Sequence, residues 1–455
     1  MNTFRGYYIY LFAGIILYFS RALYFTFRGL CIINNAEATK QAIMSEKYPR
    51  WLAKNLKSAL DNRRIVIVSG ARQTGKTTLT EQIKAPGLEF RTLDDTDLLD
   101  LALADPKGFV KTSAKTLVID EIQKAPRLIP EMKMIVDKSN RNGQFLLTGS
   151  VNLQTMPSAT ESLAGRVRNI RLRPLTVGEI LKTKPEFLRR AFKTDFPAFI
   201  LGYDKRAIFD LAFRGGYPEA VRIKKINERR EWHKDYIKTI IDYDLMDIAN
   251  IRRKDVLEEM LPILASWSAK FMDMNAIGTS FSLTKVTLNS YVNWLLSLFI
   301  FDKVPPWLKT DYERVNRKSK FYAADTGLMT SILNWKIDEV MLDNDRSGKL
   351  METFVFQELA AQVDLESKYS LYQYRDREKH EIDFIVERDD GALLGIEVKA
   401  GHNVSRKDFA PSEWFRDNII KNKKPYIGIV LYSGDRTIKY SDSLIAVPTA
   451  SLWME

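Results

Sequence analysis

GARQTGKTT, residues 70–78, follows the β-branched run RRIVIVS and precedes LTEQI. Gly70, Ala71, Arg72, Gln73, Thr74, Gly75, Lys76 and Thr77 fit G-x-x-x-x-G-K-[ST] without a mismatch, and Thr78 carries the pattern into the next element. Glycine stands where a side chain would stop backbone N–H groups from turning inward around phosphates. The helix that follows adds a partial positive charge at its N-terminus. Lys76 is placed to reach the β- and γ-phosphates of a nucleotide, and the Thr77 hydroxyl to ligate Mg²⁺. The loop sits where this chemistry needs it, after a strand and before a helix.

Working outward, strand-like and helix-like stretches alternate. The sequence predicts strands over residues 65–69, 88–95, 115–121, 144–150 and 166–175, with helices in TTLTEQI, TDLLDLALADP and LIPEMKMIVDKSN. Alternation of this kind implies a parallel sheet covered by helices. In TLVIDE, three apolar residues read as a buried strand and Asp120 emerges at its end, where a carboxylate can hold Mg²⁺. Glu121 beside it is placed to orient and deprotonate an attacking water. The next strand ends in TGS, where a polar side chain such as Thr148 can sit between Asp120 and a γ-phosphate. SLAGRVR offers Arg166 and Arg168, either of which can neutralise charge on a neighbouring subunit's nucleotide.

The chain has 455 residues and a net charge of +12, which is compatible with a polyanionic partner without specifying one. One cysteine, Cys31, and three scattered histidines exclude a disulfide framework and a multi-thiolate zinc site. The first 33 residues are apolar and aromatic but interrupted by Arg21 and Arg28. Three readings stand for them: a membrane anchor, a buried or interfacial helix, and an over-called translation start with Met44 as the true one. The expected location is cytoplasmic, with membrane anchoring through residues 1–33 as the alternative. A helix is expected from Met44 to about Leu60, where Trp51, Leu52, Leu56 and Leu60 repeat at helical spacing.

Beyond about residue 176 the pattern turns helical. RGGYPEAV reads as a turn, residues 256–333 as mostly helical, and TKVTLNSYVNWLLSLFIFDKV as a helix running into a strand, as in a winged helix. Basic and aromatic residues interleave in KVTLNSYVNWLL and YERVNRKSKFY, a composition that can face nucleic-acid phosphates. After residue 348, KLMETFVFQELAAQV reads as a helix, and SLYQYRDR, HEIDFIVERDDGALLGIEVKAG and KPYIGIVLYS as strands, with a hairpin at DDG.

Taken together, GARQTGKTTL, TLVIDEIQKAP, FLLTGS, ESLAGRV…LRPLTVGEI, GGYPEAV, KFYAADTGL and EIDFIV…GIEVKAG resemble a group of prokaryotic AAA-like ATPases. In that group a P-loop domain precedes an uncharacterised helical region and a nuclease-like domain. The resemblance runs from about Met44 to the C-terminus. It implies ATP and Mg²⁺ as ligands, roles for Lys76, Thr77, Asp120 and Glu121 as above, and Arg166 over Arg168 as the arginine acting in trans, hence a homo-oligomer. It also implies a D…(D/E)-x-K nuclease fold at the C-terminus. Asp383 lies in one strand, and Glu397 and Lys399 lie in the next on one face because they are two apart. In such a site the carboxylates hold a second Mg²⁺ or Mn²⁺ and the lysine steadies the attacking water. Glu352 or Glu358 on the preceding helix can add a ligand, with Glu352 preferred.

The expected architecture is therefore α/β: a P-loop NTPase parallel sheet, then a helical and winged-helix region, then a small α/β nuclease-like domain. The expected boundaries are an extension over 1–44, the ATPase domain over 45–190, the middle region over 191–345 and the last domain over 346–455. The expected function is Mg²⁺-dependent ATP hydrolysis coupled to a part that binds DNA or RNA or resembles a nuclease. The alternative is a nucleotide-switched DNA-binding regulator with little turnover and an inactive nuclease-like domain.

Overall fold

A parallel strand covered on both sides shows no alternation of polar and apolar residues, and IVIVS has that character. These residues form β1 (Ile65–Ser69), buried throughout. Ile65 and Ile67 pack with Leu117, Ile119, Met132 and Leu147, whereas Val66 and Val68 pack with Leu56, Leu79, Val118 and Leu172. The computed structural model describes residues 47–83, 87–152, 165–244, 254–281, 283–308, 318–421 and 423–454. The apolar N-terminal stretch, with its anchor and start-site readings, lies outside them, as does most of YERVNRKSKFY. Among the described residues no helix is long and apolar enough to cross a membrane.

β2 (Leu88–Thr92), β3 (Thr116–Asp120), β4 (Phe145–Gly149) and β5 (Val167–Arg171) complete a five-stranded sheet of order β2-β3-β4-β1-β5. Every pairing in it is parallel. All five C-terminal ends therefore share one edge, the edge at which open α/β sheets bind ligands. The sequence extends the second strand to Asp95, but it stops at Thr92. The Asp95 carboxylate instead accepts the N–H groups of Asp97 and Leu98 and starts helix Thr96–Ala104.

Helices Lys205–Arg214, Ile226–Thr239, Lys254–Ser266, Met274–Ser280 and Lys285–Ser297 follow, with β6 (Phe301–Val304) antiparallel to β7 (Lys320–Ala323). Lys270, between two of these helices, bridges Phe321 of β7. Two expectations need correction. KFYA, expected in a mostly helical stretch, is a strand because its four buried residues pair with FDKV. RGGYPEAV turns only at Gly215 and Gly216; Pro218 then opens helix Pro218–Arg222, where its fixed φ suits the first helical position.

The last part comprises helix Asn344–Leu365 and a six-stranded mixed sheet. Its strands are β8 (Tyr369–Arg375), β9 (Glu381–Arg388), β10 (Leu393–Lys399), β11 (Tyr426–Tyr432), β12 (Ile438–Ser441) and β13 (Leu444–Pro448), in the order β12-β13-β11-β10-β9-β8. β9 and β10 form the expected antiparallel hairpin, while β10, β11 and β13 run parallel. One apolar cluster joins Val177, Tyr217, Leu264 and Leu295 to Phe354, Leu394 and Trp453, so the helical block and this sheet share a core. From Tyr48 onward the chain packs as one compact unit.

The pieces lock at a polar junction. The backbone N–H of Leu175 donates to the Gly216 carbonyl at 2.7 Å, and the Gly216 N–H donates to Asp325 Oδ2 at 2.6 Å. Only glycine fits at 216, since a Cβ there would lie 2.1 Å from the Leu175 carbonyl oxygen. Asp325 also caps helix Thr326–Ile332, accepting the Leu328 N–H at 2.8 Å. Two residues past Leu175, the Val177 N–H donates to Glu358 Oε1 at 2.9 Å and Oε2 at 3.2 Å. Both carboxyl groups are fully buried. Burial raises Asp325 to about 6 and Glu358 from the ordinary 4.5 to about 8.

A raised carboxyl pKa means the unfolded chain loses its proton first, so stability falls with rising pH. The Glu358 contribution is fully present below pH 4.5 and is lost as pH rises towards 8. We expect Glu358→Gln, which keeps an acceptor for the Val177 N–H, to flatten this part of the profile. Urea midpoints of the two proteins between pH 5 and 8.5 measure it; parallel pH profiles would refute the assignment.

Candidate nucleotide site and carboxylate cluster

The residues singled out around the first loop meet at the C-terminal edge of the parallel sheet. β4 lies between β1 and β3, so the end of β4 separates the GKT loop from the acidic pair. Gly75 has φ +92°, a left-handed conformation that starts helix Lys76–Gln82. The Lys76 ammonium, almost fully buried, donates to the carbonyls of Gly70 at 3.1 Å and Ala71 at 3.0 Å. Thr77 Oγ1 donates to Asp120 Oδ2 at 3.0 Å. The Thr148 hydroxyl donates to Asp120 Oδ1 and accepts the Glu121 N–H at 3.1 Å. Glu121 has φ +57°, and its carboxylate accepts from Gln123, which also donates to Ser150 Oγ at 2.9 Å. Burial raises the Asp120 pKa, and the neighbouring Glu121 charge adds to the rise.

Two residues absent from the sequence reading hold the loop from outside. Arg50 donates to the Thr74 carbonyl at 2.7 Å, to the Arg173 carbonyl at 2.6 Å and to Glu179 Oε1 at 3.1 Å. Tyr236, on helix Ile226–Thr239, donates its hydroxyl to the Arg72 carbonyl at 3.1 Å. The only local signal for Arg50 is a guanidinium in the otherwise apolar YPRWL; for Tyr236 there is none.

Arg166 lies elsewhere. Val167 pairs with Ile65 and Arg171 with Ser69, so Arg166 stands at the opposite end of the sheet from residues 70–78. At the usual strand rise that separation is about 17 Å. Its guanidinium pairs with Asp137. Arg168 is exposed on the same edge strand.

Beside the C-terminal sheet, Glu352 and Asp383 converge with Glu381 on a residue the sequence reading left out, while Glu397 lies next to Lys399. The ammonium of Lys320, at the head of β7, lies 2.7 Å from Glu352 Oε1, 2.7 Å from Glu381 Oε1 and 3.2 Å from Asp383 Oδ1. Tyr322 donates to Glu352 Oε1 at 2.6 Å, and the Val398 N–H donates to Asp383 Oδ2 at 3.0 Å. Burial alone would lower the Lys320 pKa, but Glu352, Tyr322, Asp383 and Glu381 hold it well above the ordinary value. Burial, with Asp383 next, lifts Glu352 to about 7 and pushes Glu397 well up. Glu397 Oε1 is buried without a hydrogen-bond partner. Lys399 is more exposed, 3.9 Å from Glu397. Glu358, the other helix acid considered, is not in this cluster but at the Val177 junction. A lysine opening the apolar run FYAA was the available signal for Lys320.

A family model described as an AAA domain matches residues 62–181. Models described as domains of unknown function, DUF8612 and DUF4143, match residues 205–339 and 347–452. The uncharacterized protein Rv2008c of Mycobacterium tuberculosis is 27% identical over 401 residues, covering 88% of this chain and 83% of that protein. The uncharacterized protein MJ1544 of Methanocaldococcus jannaschii is 23% identical over 381 residues, covering 80% of each. A solved structure of the Thermotoga maritima RuvB Holliday junction branch migration motor is 17% identical and covers 57% of this chain and 90% of that one, at a TM-score of 0.24, too low to carry a structural argument. The AAA-domain match together with the sheet's strand order makes the first part of the chain an AAA-like P-loop ATPase fold, a fold that binds nucleotide.

Arg50 and Glu179 form an ion pair with side chains 6% and 4% exposed. Removing one partner of a buried pair costs about 3–5 kcal/mol. Arg50→Ala is expected to lose stability in that range by urea unfolding and to weaken nucleotide binding, because the Thr74 carbonyl loses its anchor.

Proposed function

We propose that this chain hydrolyses ATP to ADP and phosphate with Mg²⁺. What carries the reading is the run of contacts from Thr77 through Asp120 and Thr148 to Glu121, beside Lys76. A buried carboxylate flanked by two hydroxyls is a hard oxygen donor set suited to Mg²⁺, so Thr77 and Asp120 are the residues that would hold it. When bound, the ion would supply neutralisation of the phosphate charge. The backbone N–H groups of residues 70–78 bind the phosphate oxygens, and the Lys76 ammonium exchanges its carbonyl partners for them. Glu121 orients a water and takes its proton as that oxygen bonds to the γ-phosphorus and the bond to the β-phosphate oxygen breaks. Thr148 fixes the Glu121 backbone and senses the γ-phosphate through Asp120. Arg166, too far from its own loop, serves the nucleotide of a neighbouring copy, so the active form is a homo-oligomer. ATP as substrate suits a cytoplasmic location.

Glu121→Gln tests the assignment. Loss of a positioned base costs about 10²–10⁴-fold in rate, so kcat for phosphate release is expected to fall at least 100-fold while ATP affinity is kept. Lys76→Ala is expected to lose both. A Glu121→Gln protein with normal turnover would remove Glu121 from the chemistry.

A second reading has its own observation. Helices Lys254–Ser266, Met274–Ser280 and Lys285–Ser297 followed by the β6–β7 hairpin have the order of a winged helix, and helix Lys285–Ser297 exposes Lys285, Val286, Asn289 and Asn293 along one side. Lysine and asparagine on a third helix suit phosphate and adenine contacts in a DNA groove. In this reading residues 45–190, 191–345 and 346–455 are a nucleotide switch, a DNA reader and a nuclease-like domain without cleavage. Negligible turnover by the unmodified protein, with DNA affinity that changes with the bound nucleotide, would favour it.

A further inference from the structure

We infer that the Lys320 ammonium is a built-in cation that takes the place of a divalent metal in the carboxylate cluster of the C-terminal sheet. The inference is independent of the nucleotide chemistry proposed above and deepens the second reading, in which the last domain does not cut.

An ammonium has three N–H donors and no acceptor. Lys320 has a carboxylate oxygen within 3.2 Å for each of them: Glu352, Glu381 and Asp383. These acids come from helix Asn344–Leu365 and from β9, and Lys320 comes from β7, so the contact joins three elements. The lysine side chain is 2% exposed. It is a fixed occupant of the interior and not a surface residue passing by.

Among the described residues, four acids surround the cluster, Glu352, Glu381, Asp383 and Glu397, and three cations offset them: Lys320 within it, Arg375 at 3.6 Å from Glu381 and Lys399 at 3.9 Å from Glu397. Tyr322 occupies a further face of Glu352 Oε1, and the Val398 N–H holds the second oxygen of Asp383. Of the two carboxylates that D…(D/E)-x-K chemistry requires for a metal, Asp383 is already bonded through both oxygens. A divalent cation bound by Glu352 and Asp383 together would have to expel the ammonium into a low-dielectric interior, and an unpaired buried charge is costly there. The residues present therefore do not fit a resident Mg²⁺ or Mn²⁺ held by Glu352 and Asp383 together while Lys320 stays in place.

The consequence is structural. Lys320 ties the β6–β7 hairpin of the helical block to the C-terminal sheet through charge, in addition to the backbone hydrogen bonds of Gln373 with Pro305 and Trp307.

The experiment uses nucleotide-free full-length protein. Melting temperatures and Mn²⁺ binding, followed by the electron paramagnetic resonance of free Mn²⁺, are compared for wild type, Asp383→Asn and Lys320→Met. The expected wild type melts at the same temperature in EDTA and in millimolar Mn²⁺, and any Mn²⁺ it holds is held equally by Asp383→Asn. Lys320→Met is expected to melt lower in EDTA and to regain stability with Mn²⁺, as the freed carboxylates accept the ion. Mn²⁺ binding by wild type that disappears in Asp383→Asn would overturn the proposal, as would a Lys320→Met protein as stable as wild type in EDTA. If Lys320→Met does not fold, the comparison of wild type with Asp383→Asn decides alone.

Discussion

Two buried carboxyl groups, Asp325 and Glu358, hold the molecule together by accepting backbone N–H groups from segments far along the chain. Asp325 takes the Gly216 N–H across 109 residues, and Glu358 takes the Val177 N–H across 181. A buried N–H left unpaired costs roughly 1–3 kcal/mol, so the segment between Leu175 and Val177 cannot leave either partner without exposing several polar groups to an apolar surround. This three-residue stretch leads out of β5 and the nucleotide-binding sheet. Its partners are the Gly215–Gly216 turn, which Asp325 joins to the head of helix Thr326–Ile332, and the long helix that backs the C-terminal sheet. Three parts of the chain thus meet at one polar knot inside a shared apolar core.

The knot has a bearing on the nucleotide end of the molecule. Tyr217, next to Gly216, packs its ring 4.7 Å from that of Tyr236, and Tyr236 bonds the Arg72 carbonyl of the phosphate loop. Arg50 grips the same loop at Thr74 while bonded to Glu179, the residue that completes the capping box of helix Val177–Leu181. The loop is therefore braced by side chains from outside its own sheet. A change in loop conformation has direct contacts through which to act on the helical block.

The carboxylate cluster follows the same rule with opposite charges. There the buried group is a cation and its partners are acids, but the outcome is again a contact between distant segments, β7 and the helix–sheet pair after residue 344. In both places the interior tolerates charge or polarity because each donor and acceptor has a mate. Glu397 Oε1 departs from this by lacking a hydrogen-bond partner, and its raised pKa is the corresponding response.

Much of this was legible in the sequence where the cause is local. The phosphate loop, the buried runs IVIVS, TLVID and FLLTG, and the helices between them follow from motif spacing and from the burial of both faces of a parallel strand, which a short window of residues encodes. That Asp120 reaches Thr77 follows from the strand alternation, which brings the end of TLVID to the same sheet edge as the loop. The β6–β7 hairpin, the helix after Pro218, the clasp of Arg50 and Tyr236 on the loop, and the partners of Asp325 and Glu358 were not legible. Nor was Lys320, which lies 63 residues from Asp383. Propensity and periodicity act over a few residues, whereas the cost of burying a charge or an N–H is settled only by whichever group the tertiary fold brings to meet it. The sequence by itself determined the elements of the parallel sheet and its phosphate loop; the tertiary structure decided which charges are neutralised, and by whom.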